Sequence, residues 1–181
     1  TQAAPTGGLL SLDLINATYA TAFSTFSANR LFTPIGGNVT EATFSVPGTG
    51  GSIPATVRGF GAVFTDVDLG DSSRIDFFGQ FGALLGSFDV PAGTTADGSL
   101  SFLGVIFDAG ERIGAVRITS GNTALGLTDN PGGGIDVAVM DDFLYAEPQQ
   151  VREPAPLALL LFGLTLIPLV TSRSRSRTAE R

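Results

Sequence analysis

Two short groups of carboxylates contain the residue types in this sequence that are best suited to bind an ion. Asp66, Asp68 and Asp71 follow the apolar run at residues 59–65. Asp141 and Asp142 interrupt a second apolar run. Carboxylate oxygens are ligands that Ca²⁺ prefers, and Asp66 and Asp68 would share one face of an extended strand. These five residues are the predicted Ca²⁺ ligands, and Ca²⁺ is the one cofactor that the sequence suggests.

Each group also has a plainer interpretation. Counted from Asp66, the sixth position is Asp71 and the twelfth is Phe77, whereas an EF-hand loop has Gly and Glu there. The first group is therefore also compatible with an acidic turn exposed to solvent. In the second group, neighbours on a strand face opposite sides, so one carboxylate points inward and needs a partner. An arginine or backbone N–H groups would serve as well as a metal ion.

The composition excludes several kinds of active site. The chain of 181 residues has no His, no Cys and no Trp, and all ten of its basic residues are Arg. Catalytic triads built on His, thiolate nucleophiles and lysine Schiff bases are therefore impossible. The spacing of the acidic residues selects no acid and base for glycoside hydrolysis. We predict a protein that is not an enzyme and has no catalytic residues.

Charge is distributed unevenly along the chain. Residues 1–150 contain five Arg and fifteen Asp or Glu, which gives a balance of −10. Residues 151–181 contain five Arg and two Glu, which gives +3. An acidic body repels phosphate backbones, so we expect no nucleic-acid partner. A basic end after an apolar run indicates a membrane.

Residues 154–172 form an uncharged, mostly apolar run of 19 residues. As a helix of about 1.5 Å per residue, this run just spans a hydrocarbon core of about 30 Å. The arginines that follow predict a stop-transfer signal with a cytoplasmic tail at 173–181, and they are Arg173, Arg175, Arg177 and Arg181. A buried helix of a soluble fold is the alternative. The preceding body would lie outside the cytoplasm, and we expect that an export signal has been removed from the chain.

The body predicts an all-β fold, because short apolar runs alternate with Gly- and Pro-rich breakers. Seven or more short strands at this spacing favour a jelly-roll-like β-sandwich. The predicted strands are residues 42–46, 56–65, 73–78, 84–90, 99–107, 112–119 and 135–145. The predicted organisation is a β-sandwich at 1–148, a linker at 149–153, a transmembrane helix at 154–172 and the basic tail.

The end of the chain resembles the PEP-CTERM sorting signal of Gram-negative bacteria. That signal is a Pro-Glu-Pro motif followed by a transmembrane helix and a basic end. Here Arg152 replaces the first proline, and the matching motif residues are Glu153, Pro154, Ala155 and Pro156. The resemblance implies recognition by an exosortase, a processing enzyme in the membrane. It also implies that the body is then attached to the cell surface or released.

The body is similar to those that precede such tails. The stretch at residues 59–68, GFGAVFTDVD, carries this likeness, together with residues 101–105 and 141–148. The resemblance implies a location at the bacterial surface, in the exopolysaccharide matrix or in a biofilm, and there we expect a non-enzymatic structural or adhesive role. The alternative is a carbohydrate-binding module stabilised by Ca²⁺. The expected partners are an exosortase, a membrane and an exopolysaccharide.

Overall fold

The described part of the chain forms two antiparallel sheets that pack as a β-sandwich. The computed structural model describes residues 2–3, 11–27 and 30–151. The strands are β1 (Gln2–Ala3), β2 (Leu31–Phe32), β3 (Val39–Ser45), β4 (Pro54–Thr56), β5 (Gly59–Thr65), β6 (Arg74–Gly79), β7 (Leu84–Asp89), β8 (Leu100–Ile106), β9 (Ile113–Thr119), β10 (Val139–Tyr145) and β11 (Gln149–Gln150). Three short helices are Leu12–Leu14, Tyr19–Ala22 and Pro131–Gly133. The predicted all-β class is confirmed for the described residues.

The strand order places three long connections at one end of the sandwich. The first sheet has the order β1-β2-β10-β5-β8, and the second has β11-β4-β3-β9-β6-β7. Thr65 at the end of β5 pairs with Leu100 at the start of β8 and with Val139 at the start of β10. The connections at 66–73, 90–99 and 120–138 therefore meet at this end.

Side-chain alternation explains how the sheets bury their facing sides. Phe60, Ala62 and Phe64 are alternate residues of β5, and all three lie in the core between the sheets. The outward positions of β5 include Gly61, where a Cβ atom would lie 2.9 Å from the Phe102 ring. The ring of Phe102 therefore covers the backbone of β5, which explains why this strand is buried on both faces.

The core consists of two clusters of buried apolar side chains. The larger one lies between the sheets and includes Phe64, Phe77, Ile118 and Met140. The smaller one joins residues 12–31 to the start of β10, and Tyr19 packs on Phe23 within it with the ring centroids 5.0 Å apart. The N-terminal segment is thereby fixed beside the connection at 120–138.

All seven predicted strands overlap a strand of the structure, but three of them have wrong bounds. The strand predicted at 42–46 begins three residues earlier, at Val39. The predicted strand at 56–65 is two strands, because β4 belongs to the second sheet and β5 to the first. The chain crosses between the sheets after Val57, which still bridges to Ile113 of β9. The predicted strand at 135–145 begins only at Val139. The short strands β1, β2, β4 and β11 were not predicted as separate elements.

The C-terminal predictions lie outside the described residues. They are the transmembrane helix at 154–172, the motif at Glu153–Pro156 and the basic tail at 173–181. Within residues 2–3, 11–27 and 30–151, no helix is long and apolar enough to cross a membrane. The chain divides into one compact unit of residues 1–150 and a second unit of residues 151–181.

Candidate functional site

The three connections at one end of the sandwich bring five carboxylates together. We call this group the carboxylate cluster, and its members are Asp66, Asp68, Asp97, Asp129 and Asp136. Asp66 and Asp68 follow β5, Asp97 precedes β8, and Asp129 and Asp136 precede β10. The carboxyl groups of Asp68 and Asp129 lie within hydrogen-bonding distance. Electrostatic repulsion links the other members to this pair.

Asp66 is held in an unusual backbone conformation at the end of β5. Its φ angle is 68°, and it is the one non-glycine residue with positive φ in the described ranges. Its N–H donates to the carbonyl of Ser99 at 2.8 Å, and its Oδ1 accepts from the N–H of Gly98 at 3.3 Å. The side chain is buried, and its Oδ2 has no hydrogen-bond partner. One oxygen is thus fixed by the backbone while the other is left unpaired.

Asp136 ties the connection at 66–73 to the connection at 120–138. Its Oδ2 accepts from the N–H of Asp68 at 3.1 Å, the N–H of Leu69 at 2.8 Å and the hydroxyl of Ser72 at 2.5 Å. The residue is 0% exposed, yet its Oδ1 has no partner. Asp136 therefore repeats the arrangement of Asp66, with one oxygen held by donors and the other buried and unsatisfied.

Asp129 is positioned by the same long connection. It accepts from the N–H of Val137 at 2.8 Å. The buried hydroxyl of Tyr19 accepts from the N–H of Gly126 at 2.9 Å and donates to the carbonyl of Leu127, which fixes the chain just before Asp129. Burial raises the pKa of the Tyr19 hydroxyl. The N-terminal helical segment therefore helps to hold the cluster in shape.

Burial and mutual repulsion raise the pKa values of three carboxyls in the cluster, those of Asp66, Asp68 and Asp129. Burial, followed by repulsion from Asp129 and Asp68, raises the pKa of Asp66 to about 8. Burial and the charges of Asp129 and Asp136 raise the pKa of Asp68 to about 6. The pKa of Asp129 is also raised, chiefly by burial. Near neutral pH Asp66 therefore retains its proton, because burial and the neighbouring charges disfavour its ionised form.

The five residues predicted as Ca²⁺ ligands have different surroundings. Asp66 and Asp68 belong to the carboxylate cluster, whereas Asp71 is exposed on the same connection. Asp141 is buried and accepts from the N–H of Phe26, which matches the alternative of a backbone donor. Asp142 accepts from the Ser27 hydroxyl at 2.7 Å. The pair in β10 therefore anchors the N-terminal segment.

Sequence reasoning missed Asp97, Asp129 and Asp136. They are distant from Asp66 in the chain and follow no ligand spacing, so only the strand order brings them close. In the described ranges, no three acidic, His or Cys side chains stand in ready-made metal-ligating geometry. The signal that could have found Asp129 and Asp136 is their position in a polar, Gly-rich connection directly before a buried strand.

A separate groove lies between the sheets, on the side where β2 and β3 flank the core. Its volume is about 490 Å³. Its walls combine aromatic rings with hydroxyl groups and carry no acidic or basic side chain. The lining includes Phe32, Thr33, Thr40, Phe44, Ser45, Phe60, Phe143 and Tyr145. The groove and the carboxylate cluster share no residue, so apolar binding surface and titratable groups occupy different places.

Comparisons with known proteins do not assign this site. No protein-family model, curated protein or solved structure matches the chain. The functional conclusions below therefore depend on the residues, their contacts and their position in the chain.

We expect the chain to become more stable as the pH falls from about 8 to about 5 in a buffer without divalent cations. Asp66 and Asp68 bind protons more tightly when folded than when unfolded, since their pKa values rise from 3.8 to about 8 and about 6. Stability from such groups is present at low pH and is lost as the pH rises through the folded-state values. Thermal melts should show a midpoint higher by about 5 °C at the lower pH.

Asp66→Asn is the control for this pH dependence, because it removes the titrating group and Asn tolerates positive φ. Between the same pH values, the melting midpoint of the variant should change less than that of the wild-type chain. A wild-type melting midpoint that rises with pH would contradict the raised pKa of Asp66. The same pH dependence in the variant and in the wild-type chain would also contradict it.

Proposed function

We propose that this chain is an exported bacterial protein with a removable C-terminal membrane anchor. The body crosses the membrane, the apolar run at 154–172 holds it there, and an exosortase cuts near Glu153 and Pro154. The released body then serves at the cell surface or in the exopolysaccharide matrix, in a structural or adhesive role without catalysis. The C-terminal sequence resemblance, the absence of His, Cys and Lys, and the fold of the body support this proposal.

The observation that carries the proposal is the position of the motif in the chain, shortly after the last strand of the body. Strand β11 pairs with β4 through Gln149 with Thr56 and Gln150 with Ala55. Glu153 follows only three residues after Gln150. A processing enzyme at the membrane needs a peptide that is free of the sandwich. The motif begins directly beyond the last strand pair, so cleavage there would remove the anchor and leave the body intact.

We also propose that the sandwich is a jelly roll. Apart from β1 at the edge of one sheet and the pair β4 and β11 at the edge of the other, the first sheet has the order β2-β10-β5-β8 and the second has β3-β9-β6-β7. Eight antiparallel strands in two facing four-stranded sheets, with connections that cross between them, are typical of this architecture. Jelly rolls are frequent in lectins and in other binding domains, which favours an adhesive role over an enzymatic one.

Fractionation of a Gram-negative host that carries an exosortase tests the sorting proposal. The chain is expressed behind an export signal, and its amount in membrane, surface and medium is compared with a strain that lacks the exosortase. We expect processed protein at the surface or in the medium of the first strain, and uncut protein in the membrane of the second. Replacing Arg173, Arg175 and Arg177 together by Ser should weaken membrane retention in the second strain.

The chain supplies a matched control for the motif. Glu147 and Pro148 form a second Glu-Pro pair just before β11. Changing Glu153 and Pro154 to Ala should leave the protein uncut in the membrane, whereas the same change at Glu147 and Pro148 should leave processing unaltered. Equal processing in both strains, or an equal effect of the two double changes, would overturn the proposal.

A carbohydrate-binding module is the second candidate function, and the groove between the sheets favours it. Aromatic rings provide stacking surface for sugar rings, while hydroxyls provide donors and acceptors without charge. Tyr145 lines the groove and is 59% exposed. The same fractionation distinguishes this candidate. Tyr145→Ser should reduce the share of released protein that sediments with exopolysaccharide, whereas Phe81→Ser, a change of an exposed ring outside the groove, should not.

A further inference from the structure

Three buried carboxylate oxygens of the cluster are left without a hydrogen-bond partner. They are Oδ2 of Asp66, Oδ1 of Asp68 and Oδ1 of Asp136. Asp66 is 1% exposed and Asp136 is 0% exposed, so water does not satisfy these two residues from outside. A buried acceptor without a partner costs about 1–3 kcal/mol, and more when it is charged. Buried carboxylates are normally paired or bound to a metal ion. These three oxygens have no pairing partner, which leaves a metal ion as the other arrangement.

In Asp66 and Asp136 the opposite oxygen of the same side chain is held by donors. Oδ1 of Asp66 accepts from Gly98, and Oδ2 of Asp136 accepts from Asp68, Leu69 and Ser72. Asp129 is fixed in the same way by the N–H of Val137. Asp66 and Asp136 are therefore each oriented by one oxygen, while the other oxygen is buried and has no partner. Carboxylates that are already oriented by hydrogen bonds suit a metal site, because such ligands lose little conformational freedom when they bind an ion.

The charge of the cluster favours a cation. Five carboxylates come from three connections, and the ion pairs that the structure shows for Arg74 and Arg117 are made with Asp76 and Glu41, outside the cluster. A divalent cation would convert repulsion between the three connections into attraction.

We propose that the carboxylate cluster binds one Ca²⁺ ion through the free oxygens of Asp66, Asp68 and Asp136, with Asp129 as a further ligand. This site is a property of the body and does not depend on the sorting function. Exclusively oxygen ligands, and the absence of His and Cys from the chain, favour Ca²⁺ over Zn²⁺. Ca²⁺ also accepts six to eight ligands in irregular geometry, which suits a set drawn from separate connections.

Binding should draw the three connections together. The described side chains do not stand in ready-made ligating geometry, and ionised carboxylates in one cluster repel one another. A bound ion removes that repulsion. Residues 66–73, 90–99 and 120–138 should therefore exchange their amide hydrogens more slowly in Ca²⁺ than in chelator.

Calorimetric titration of CaCl₂ into the full chain, in mild detergent at about pH 8, tests the proposal, with thermal melts in parallel. We expect one site with a dissociation constant below about 100 μM. We also expect a melting midpoint that is higher by about 5 °C at about 1 mM CaCl₂ than in chelator. MgCl₂ at the same concentration should raise the midpoint less.

Two pairs of substitutions make the result specific. Asp66→Asn and Asp136→Asn should each weaken binding at least about tenfold, since each replaces a free anionic oxygen. Asp71→Asn and Asp142→Asn change the net charge equally but leave the cluster intact, so they should bind as the wild-type chain does. Circular dichroism confirms that each variant is folded. The absence of calcium-dependent heat in the wild-type chain, or equal binding by all four variants, would overturn the proposal.

Discussion

Replacing Asp136 by Ala is expected to lower the free energy of unfolding by about 4 kcal/mol, measured by urea denaturation in chelator. The residue is 0% exposed, and one of its oxygens accepts from Asp68, Leu69 and Ser72. Alanine removes this acceptor and leaves the backbone N–H groups of Asp68 and Leu69 without a partner, whereas the Ser72 hydroxyl still reaches the carbonyl of Leu69 at 2.8 Å. It also creates a cavity where the connections at 66–73 and 120–138 meet.

Asp136→Asn is the control for this change. Its amide oxygen can accept from the same three donors, and it removes one negative charge from beside Asp68 and Asp129. We therefore expect a loss of less than about 1.5 kcal/mol. If Ala and Asn destabilise the chain equally, the charge of Asp136 matters more than its hydrogen bonds. The hydrogen bonds of Asp136 would then not be what holds the two connections together.

Gly121→Ala is the second substitution with a large expected effect, a loss of about 3 kcal/mol or more. Gly121 has a φ angle of 67°, and its N–H donates to Ser73 Oγ at 2.8 Å. An added Cβ would lie 2.4 Å from the carbonyl oxygen of Asp136 and 2.8 Å from the backbone nitrogen of Ala138. Both are backbone atoms, so the methyl group would displace the connection that positions Asp136.

Gly36→Ala separates the two causes of that loss. Gly36 has a φ angle of 76°, and a Cβ there would meet no atom within 4 Å. The strain of positive φ alone should cost about 1 kcal/mol. The difference between the two variants, again from urea denaturation, measures the steric contact with the connection at 120–138. Similar losses at both positions would show that the contact is relieved by a small backbone shift.

Local sequence patterns were sufficient to predict the longer strands. Alternation of apolar residues and Gly- or Pro-rich breakers placed all seven predicted strands, because these signals act within a few residues. They missed the crossing between β4 and β5, where the apolar pattern continues while the chain changes sheets. Short strands such as β2 and β11 have too few residues to show an alternation of apolar and polar residues. Their place depends on pairing with distant strands.

The candidate site was predictable only in part for the same reason. The spacing of Asp66 and Asp68 after a buried strand is a local signal, and both belong to the cluster. Asp129 and Asp136 join them because β10 pairs with β5, which the sequence alone does not specify. Asp141 was predicted either as a ligand or as a carboxylate that accepts from an arginine or a backbone N–H group. It accepts from the N–H of Phe26, which is distant in the chain and is not brought to it by local spacing.

The intact mass of the mature protein, recovered from the surface or medium of an exosortase-bearing host, tests the proposed function most directly. We expect a chain that contains the complete sandwich through β11. It should lack the apolar run at 154–172 and the arginines beyond it. The same protein from the strain without exosortase should retain the apolar run and these arginines in the membrane. A surface protein that still contains residues 154–181 would contradict the proposed function, because its anchor would not have been removed.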